Sequence, residues 1–272
     1  MMSVERLIVN DEKIKLPEYE LHVIKKPKNK YLICIPVINE GEKFLNQLRK
    51  MQDANVNEAA DIIICDAGST DGSTDVSVLE RYGVSALIIR KSAGHMSDQL
   101  MLGYYYAVQN GYLGTITMDG NGKDGVEGIF GFVKALDEGY DLIQGSRYIE
   151  GGIAINTPKY RELAIKCIHV PVINFLSGFK YTDTTNGFRG HSIRVMKDMK
   201  VQPFRYGSFP TYALIHYLTV RVPQLNYRVT EIPVLRQYPK KGKTPTKISP
   251  IKGNVDLIKI LFNLAMNKYN PK

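Results

Sequence analysis

The chain has 272 residues, of which 44% are hydrophobic and 23% charged, and this composition predicts a folded rather than a disordered protein. Its length fits one large α/β domain with short extensions better than two full domains. The formal net charge is +9, and most of the excess lies after residue 235, where nine basic residues accompany one acid, Asp256. Such a surface suits the phosphates of a nucleotide or a lipid head group, with a solvated basic tail as the alternative. No signature of a nucleic-acid-binding protein accompanies the charge, so nucleic acid is not an expected partner.

The first residues of the chain and its cysteines indicate the cellular compartment in which the protein is expected. Residues 1–10 mix polar and apolar side chains, so we expect no signal peptide there. No apolar run approaches the ~18 residues that a membrane-spanning helix needs. Cys34, Cys65 and Cys167 are widely spaced, and the first two lie inside apolar runs, so we expect buried, reduced thiols there. We therefore expect a cytoplasmic protein.

The predicted elements alternate along the chain. Residues 1–30 form an N-terminal extension with strand-like stretches at 6–9 and 20–24, and residues 31–235 form the predicted catalytic domain. The run YLICIPVIN from Tyr31 predicts a strand buried on both faces. The elements predicted after it are a helix over 42–51, strands over 61–68 and 86–89, a helix around 98–109 and a strand over 114–120. Strands that alternate with helices predict a mostly parallel sheet with helices on both faces.

Residues 236–272 form a predicted basic C-terminal segment. Residues 237–246 are rich in Gly, Pro and Lys, and we expect this stretch to order over a bound ligand as a lid, with a solvated loop as the alternative. Residues 255–266 carry polar side chains only along a narrow stripe, which predicts an amphipathic helix. That helix would dock on the protein or on a second subunit of a homo-oligomer. The alternative is peripheral contact with the inner face of the membrane.

Three polar loops follow predicted strands, at residues 36–41, 66–75 and 119–125. In a parallel sheet, ligands bind beyond the carboxyl ends of the strands, so these loops are expected to lie together. The first two could simply cap the helices that follow them. The third ends an apolar strand with Asp119 and Asn121, whose oxygens suit Mg²⁺, a cation that takes one or two carboxylates plus phosphate oxygens.

Six motifs in order carry a resemblance to a known family: IPVINE, CDAGSTDGSTD, MDGNGKDG, QGSRYIEGG, DTTNGFRG and EIPVLRQYPKKGKTPTKIS. The series resembles the family-2 glycosyltransferases, and within them the polyprenyl-phosphate sugar transferases typified by dolichol-phosphate mannose synthase. It runs from about Tyr31 to about Ile248. The resemblance implies an α/β, Rossmann-like GT-A fold, a nucleotide-diphospho-sugar donor and Mg²⁺ or Mn²⁺ as cofactor.

The resemblance also assigns roles to residues. Asp119 and Asn121 match the metal-binding D-x-D pair, and Asp183, with Arg147 beside the same site, matches the acidic residue given a catalytic role. The residues assigned to the nucleotide are Pro36, Asn39, Glu40, Asp66 and Gly94. The residues assigned to the donor or acceptor phosphates are Arg189, Arg236, Thr246 and Lys247.

The expected reaction is a single in-line displacement with inversion at the sugar carbon. Negative charge develops on the leaving diphosphate, and a divalent metal and fixed cations stabilise it. A saccharide hydroxyl as acceptor would need Asp183 as general base. A polyprenyl phosphate, with a second pKa of about 6, is already anionic, so Asp183 would orient it or help to hold the metal.

Three departures from the family pattern leave a further alternative open. Ala67 stands where the family often has a second aspartate, and Asn121 replaces the second acid of D-x-D. No acid occurs around residues 209–211, where one is expected. Asp124 could compensate for Asn121 in metal binding. The polyprenyl-phosphate transferase, a transferase that extends a saccharide and a catalytically silent nucleotide-sugar-binding protein are therefore the three functional hypotheses.

Overall fold

The computed structural model describes residues 14–239 and 250–271. The predicted strand at 6–9 and the candidate residues Thr246 and Lys247 lie outside them. The strands are β1 (Tyr19–Val23), β2 (Tyr31–Val37), β3 (Asp61–Asp66), β4 (Ala86–Arg90), β5 (Gly114–Thr117), β6 (Leu142–Ser146), β7 (Ile153–Ile155), β8 (Arg189–Ser192), β9 (Val229–Pro233) and β10 (Leu235–Gln237). The helices are α1 (Glu42–Asp53), α2 (Val76–Arg81), α3 (Met96–Gln109), α4 (Gly128–Asp137), α5 (Lys159–Ala164), α6 (Val170–Ser177), α7 (Ile193–Lys197), α8 (Ala213–Gln224) and α9 (Pro250–Ala265).

Eight strands form one sheet in the order β1-β4-β3-β2-β5-β8-β6-β9. The pairs β4–β3, β3–β2, β2–β5 and β6–β9 are parallel, and only β1 and β8 run against the others. The carboxyl ends of β2, β3, β4, β5, β6 and β9 therefore meet at one edge, together with the loop that enters β8. This edge, called the carboxyl edge below, is where we expect a ligand to bind.

Helices cover both faces of the sheet, as predicted. All seven residues of β2 are buried, and their side chains alternate between two separate clusters. Leu32 and Cys34 pack in the cluster that contains α3, α6 and α8, whereas Ile33 and Ile35 pack in the one that contains α1 and α4. This double burial explains the continuous apolar sequence of β2.

The predicted boundaries of the catalytic domain stay a prediction, but parts of both flanking segments join the fold. β1, within the predicted extension, pairs with β4 as the edge strand of the large sheet. β10 pairs with β7 in a small parallel sheet. Cys34 and Cys65 are free, buried thiols, as predicted. Among the helices of the described residues, none has the length and apolarity required to cross a bilayer.

Candidate active site

The first two loops of the carboxyl edge are bound to one another. Ser69 Oγ accepts the N–H of Asn39 at 2.9 Å, and the Thr70 N–H donates to Asn39 Oδ1 at 2.8 Å. The Gly41 N–H donates to Asp71 Oδ2 at 2.9 Å. Asn39 has φ 45°, a left-handed conformation that asparagine tolerates better than most residues. The loops after β2 and β3 therefore form one polar wall rather than two separate turns.

Asp66 holds the second loop in shape. Its carboxylate is buried and accepts the Ser69 N–H at 3.0 Å, the Ser69 hydroxyl at 2.6 Å and the Thr74 hydroxyl at 3.1 Å. These donors come from the same Gly/Ser/Thr-rich turn, which explains why the turn needs an acid at its start. A contact between Asp66 and a nucleotide stays a prediction.

Gln99, which the sequence did not single out, ties the ends of two strands together. Its Nε2 donates to the carbonyl of Val37 at 2.9 Å and to that of Cys65 at 2.6 Å. These two residues lie at the carboxyl ends of β2 and β3. Gln99 lies in the first turn of α3 and is buried. Its neighbours Ser97 and Asp98 are polar and buried as well, so the sequence offered no signal specific to Gln99.

The remaining residues assigned to the nucleotide lie along the same edge. Pro36 is buried in β2, and its carbonyl borders the third loop, because a Cβ on Gly120 would lie 3.1 Å from that oxygen. Gly94 is exposed in the loop between β4 and α3, where a Cβ would lie 2.5 Å from Asp98 Oδ2. Glu40 is half-buried beside Asn39. The structure thus brings all five predicted nucleotide residues to one edge.

The third loop forms a compact ion-pair network with Arg236. Nη1 of Arg236 lies 2.7 Å from both oxygens of Asp124, and Nη2 lies 2.7 Å from Asp119 Oδ2. Asn121 donates to the same Asp119 oxygen at 3.2 Å. The Asp124 side chain is fully buried, whereas the Asp119 side chain keeps 21% of its surface exposed. While Arg236 binds Asp124 in this way, Asp119 is the carboxylate that a ligand can reach.

Electrostatics explains why these charges are stable inside the protein. Burial disfavours the charge of Asp119, but the Arg236 guanidinium outweighs it and lowers the pKa of this carboxyl. Burial likewise disfavours the charge of Arg236, but Asp124 and Asp119 hold its pKa well above the usual value. Lys123, beside them, is buried, and burial lowers its pKa. Burial also raises the pKa of Asp124, although the Arg236 guanidinium acts in the opposite direction.

The donor set of this loop fits a divalent cation. Among the described residues, no cluster of three or more His, Cys, Asp and Glu side chains could hold a metal ion. A cation here would rest on Asp119 and Asp124, with the side-chain oxygen of Asn121 as a neutral neighbour. Mg²⁺ commonly takes one or two carboxylates and completes its shell with phosphate oxygens and water. In this structure the Arg236 guanidinium supplies the positive charge beside these two carboxylates.

Arg147 and Asp183 form a second buried ion pair at the same edge. Arg147 Nε lies 2.6 Å from Asp183 Oδ2, and Nη2 lies 2.9 Å from Oδ1. Both side chains are at most 2% exposed. Burial works against the charge of Asp183, but Arg147 outweighs it, so the pKa of this carboxyl is lowered. Arg147 follows β6 directly and Asp183 lies in the loop before β8, so the fold itself brings these distant residues together.

Arg189 and Glu231 hold the loop that carries Asp183. Arg189 is fully buried and donates to the carbonyls of Thr184 at 2.8 Å, Asn186 at 3.0 Å and Ile215 at 2.6 Å. Glu231 accepts the N–H of Asp183 at 3.2 Å. Arg189 also donates to the Thr219 hydroxyl, because its side chain points from the start of β8 into the interior. A contact between Arg189 and a phosphate stays a prediction.

Gly187 joins the two ion pairs. A Cβ at this position would lie 2.8 Å from Asp119 Oδ1, so the backbone of the Asp183 loop approaches the Asp119 carboxylate closely. Asn186, one residue earlier, turns its Oδ1 to within 3.4 Å of Arg236. The predicted metal residues and the predicted catalytic residues are therefore parts of one site.

Comparisons with known proteins agree with this site. No family model matches the chain. The chain is 26% identical over 212 residues to the polyprenol monophosphomannose synthase of Mycolicibacterium smegmatis, which covers 77% of this chain and 78% of that protein. It is 26% identical over 206 residues to the undecaprenyl-phosphate mannosyltransferase of Micrococcus luteus, which covers 75% of this chain and 82% of that protein. The resemblance to polyprenyl-phosphate sugar transferases is confirmed.

A solved structure confirms the fold. Glucosyl-3-phosphoglycerate synthase from Mycobacterium tuberculosis, in complex with Mn²⁺, UDP and glucosyl-3-phosphoglycerate, superposes with a TM-score of 0.61. The superposition covers 88% of this chain and 79% of that one, at 11% sequence identity. The chain therefore has the predicted GT-A fold.

Proposed function

We propose that this chain is an inverting glycosyltransferase that moves a sugar from a nucleotide-diphospho-sugar to a polyprenyl phosphate, with Mg²⁺ or Mn²⁺ as cofactor. The observation that carries the proposal is the meeting of Asp119, Asp124 and Arg236 with Arg147 and Asp183 at the carboxyl edge of a GT-A sheet. The names of the relatives give the acceptor class. We further propose that the protein works at the inner face of the membrane.

On the donor side, the polar wall formed by the loops after β2 and β3 would hold the nucleotide. Asp119 and Asp124, with Asn121 beside them, would hold the cation. The bound cation would neutralise the charge that develops on the diphosphate as the sugar–phosphate bond breaks. Arg236 would leave the carboxylates at that stage, and its guanidinium is suited to the phosphate oxygens that arrive. Arg236 would thus bind the two carboxylates before the donor and the cation bind, and the diphosphate afterwards.

On the acceptor side, Asp183 is a positioning residue rather than a base. Its carboxylate is ionised and both of its oxygens bind Arg147, so accepting a proton would break a buried ion pair. A polyprenyl phosphate does not require this, because its oxygen is already anionic near neutral pH. The pair would instead fix the Arg147 guanidinium beside the acceptor phosphate. The buried Arg147–Asp183 ion pair therefore favours a phosphate acceptor over a saccharide hydroxyl.

The test is transfer of radiolabelled sugar into material that extracts into organic solvent. A panel of nucleotide-diphospho-sugars is incubated with polyprenyl phosphate and Mn²⁺, with Asp119→Ala as the matched inactive variant. We expect lipid-linked label with the wild type and its loss in the variant, because the accessible carboxylate of the cation site is removed. Label that appears only in a saccharide would assign the alternative acceptor. Donor binding without either transfer or hydrolysis would assign a silent binding protein.

A further inference from the structure

A π-helical turn over Ile165–His169 joins α5 to α6. Such a turn contains one residue more than a turn of α-helix, so it changes the direction in which the side chains after it point. π-helical turns are rare and occur frequently at functional sites. The last residue of this turn, His169, is buried, with only 2% of its surface exposed. The turn therefore directs an imidazole into the interior of the protein.

His169 binds the loop that carries Asp183. Its Nδ1 lies 2.6 Å from the hydroxyl oxygen of Thr184, the residue after Asp183, and Thr184 is fully buried. The carbonyl of Thr184 accepts a hydrogen bond from Arg189 at 2.8 Å, so Thr184 is held through both its side chain and its backbone. Asp183, one peptide bond away, binds Arg147 with both carboxylate oxygens. A displacement of Thr184 would therefore also displace the carboxylate that orients Arg147.

The imidazole of His169 is neutral near neutral pH. Burial and the nearby charge of Arg189 lower its pKa to about 4. Its Nε2 is buried and has no hydrogen-bond partner among the residues that the structure describes. A buried polar atom without a partner costs free energy, and an aromatic hydrocarbon ring of similar size would fill the same space without that cost. Packing alone does not require a nitrogen here, so the distinctive contribution of His169 is the bond that Nδ1 makes.

Neighbouring aromatic rings fix the position of this imidazole. The centroid of the His169 ring lies 4.9 Å from that of His216, which lies 5.6 Å from that of Tyr212. The Tyr212 hydroxyl donates to the carbonyl of Gly253 in α9 at 3.1 Å. Because side chains in a packed interior have little room to change rotamer, the His169 ring presents Nδ1 to Thr184 in a fixed place.

We infer that His169 is a positioning residue, which through its hydrogen bond to Thr184 holds Asp183 where it orients Arg147. In the sheet, β5 separates β2 and β3, whose loops would hold the nucleotide, from β8 and β6, which adjoin Asp183 and Arg147. Loss of the bond should therefore slow the transfer step and leave donor binding unchanged. The effect on the Arg147–Asp183 pair is independent of the proposed function, and only the effect on turnover rests on it.

The test compares three variants and one control. His169→Phe keeps an aromatic ring and removes both nitrogens, whereas His169→Asn keeps an amide that can bond to the Thr184 hydroxyl. His169→Phe/Thr184→Val removes both partners, so neither is left buried and unpaired. The matched control Tyr217→Phe removes a different buried hydrogen bond, the one from the Tyr217 hydroxyl to the carbonyl of Val201 at 2.7 Å.

The first measurement is steady-state sugar transfer to polyprenyl phosphate, together with the melting temperature of each protein. We expect His169→Phe to lower kcat about tenfold at unchanged donor KM, since a misplacement of about 1 Å can cost about a hundredfold. His169→Asn should recover most of this turnover. The double variant should be more stable than His169→Phe and remain as slow, whereas the control should keep the wild-type kcat. A double variant with the kcat of the wild type would mean that His169 contributes only stability, and would overturn the inference.

The second measurement does not depend on transfer. In protein with isotope-labelled arginine, nuclear magnetic resonance detects the Arg147 Nε–H, which donates to Asp183 at 2.6 Å, and Arg147→Lys assigns its signal. We expect this signal to shift in His169→Phe and to stay in place in Tyr217→Phe. An unshifted signal in His169→Phe overturns the inference whatever the activity. A shifted signal in a protein whose wild type transfers no sugar would support the positioning role of His169 and remove the proposed function.

Discussion

Arg236 gives the sharpest prediction, because it holds two carboxylates that a cation would also need. The substitution Arg236→Gln keeps a polar side chain of similar length and removes the charge. Asp124 would then be a buried carboxylate without its bidentate partner, and Asp119 would lose its closest cation. We expect a less stable protein that binds Mn²⁺ more tightly and transfers sugar more slowly.

The magnitude follows from the burial of the network. Removing one partner of a buried ion pair costs about 3–5 kcal/mol. We take about 3 kcal/mol here, because the Asp119 side chain stays 21% exposed and water can reach it. In the wild type a cation must displace Arg236, whereas in the variant it restores a missing charge. Since about 1.4 kcal/mol corresponds to a factor of ten, even half of this energy would tighten Mn²⁺ binding about tenfold.

The assay combines calorimetric titration of Mn²⁺ with thermal unfolding at several Mn²⁺ concentrations. The matched control is Arg228→Gln, an exposed arginine just before β9 that donates to the carbonyl of Glu138 at 2.8 Å. The control should match the wild type in both measurements. The variant should start with a lower melting temperature and recover it as Mn²⁺ is added, because binding to the native state alone stabilises it.

Two results would refute this reasoning. An Arg236→Gln protein with the stability and Mn²⁺ affinity of the wild type would mean that the ion pairs with Asp119 and Asp124 contribute nothing. Weaker Mn²⁺ binding in the variant would mean that Arg236 helps to build the cation site instead of competing for it. An Arg236→Lys variant distinguishes charge from geometry, since lysine keeps the charge and loses the planar fork.

Three further predictions concern the acceptor side, the basic segment and pH. Asp183→Asn should lower turnover at least about a hundredfold with little change in donor affinity, since it acts on the acceptor or transition state; lost donor binding in equilibrium titration would contradict this. Nucleotide diphosphate with Mn²⁺ should protect residues 236–248 from proteolysis and Lys247→Ala should slow transfer; equal cleavage with and without ligand, and a fully active variant, would leave a solvated loop. Burial lowers the pKa values of three histidines, so the unfolded chain takes up protons below a pH of about 6.5 that the native protein does not, and stability is lost as pH falls. Urea unfolding should show a loss of about 1.4 kcal/mol per histidine at one pH unit below that value, and constant stability there would contradict it. The histidines are His169 (pKa about 4), His191 (about 3) and His216 (well below the usual value).

The positions of the loops could be predicted from the sequence because they depend on the direction of the strands. A buried parallel sheet requires continuous apolar runs such as β2, and each run ends where polar residues begin. Asp66 and Asp119 were therefore placed at the carboxyl edge without any knowledge of pairing. The resemblance added Asp183, which no strand pattern marked. The position of the polar loops at the carboxyl edge was thus predictable from local sequence. The close approach of the Asp183 loop to Asp119 was not.

The pairing of Arg236 with Asp124 and Asp119 could not be predicted, since these partners are more than a hundred positions away from it in the sequence. In sequence, Asp124 is a loop carboxylate and Arg236 one cation among nine, yet in the structure each is the other's partner. Arg189 shows the same limit, because an arginine at the start of a short strand looks the same in sequence whether it binds a phosphate or backbone carbonyls. Desolvation decides between these outcomes: a buried guanidinium must find acceptors, and the protein supplies them wherever a ligand does not. Arg189 is fully buried among such acceptors, whereas Arg236 binds Asp119, whose side chain keeps 21% of its surface exposed, and only the folded protein distinguishes these two environments.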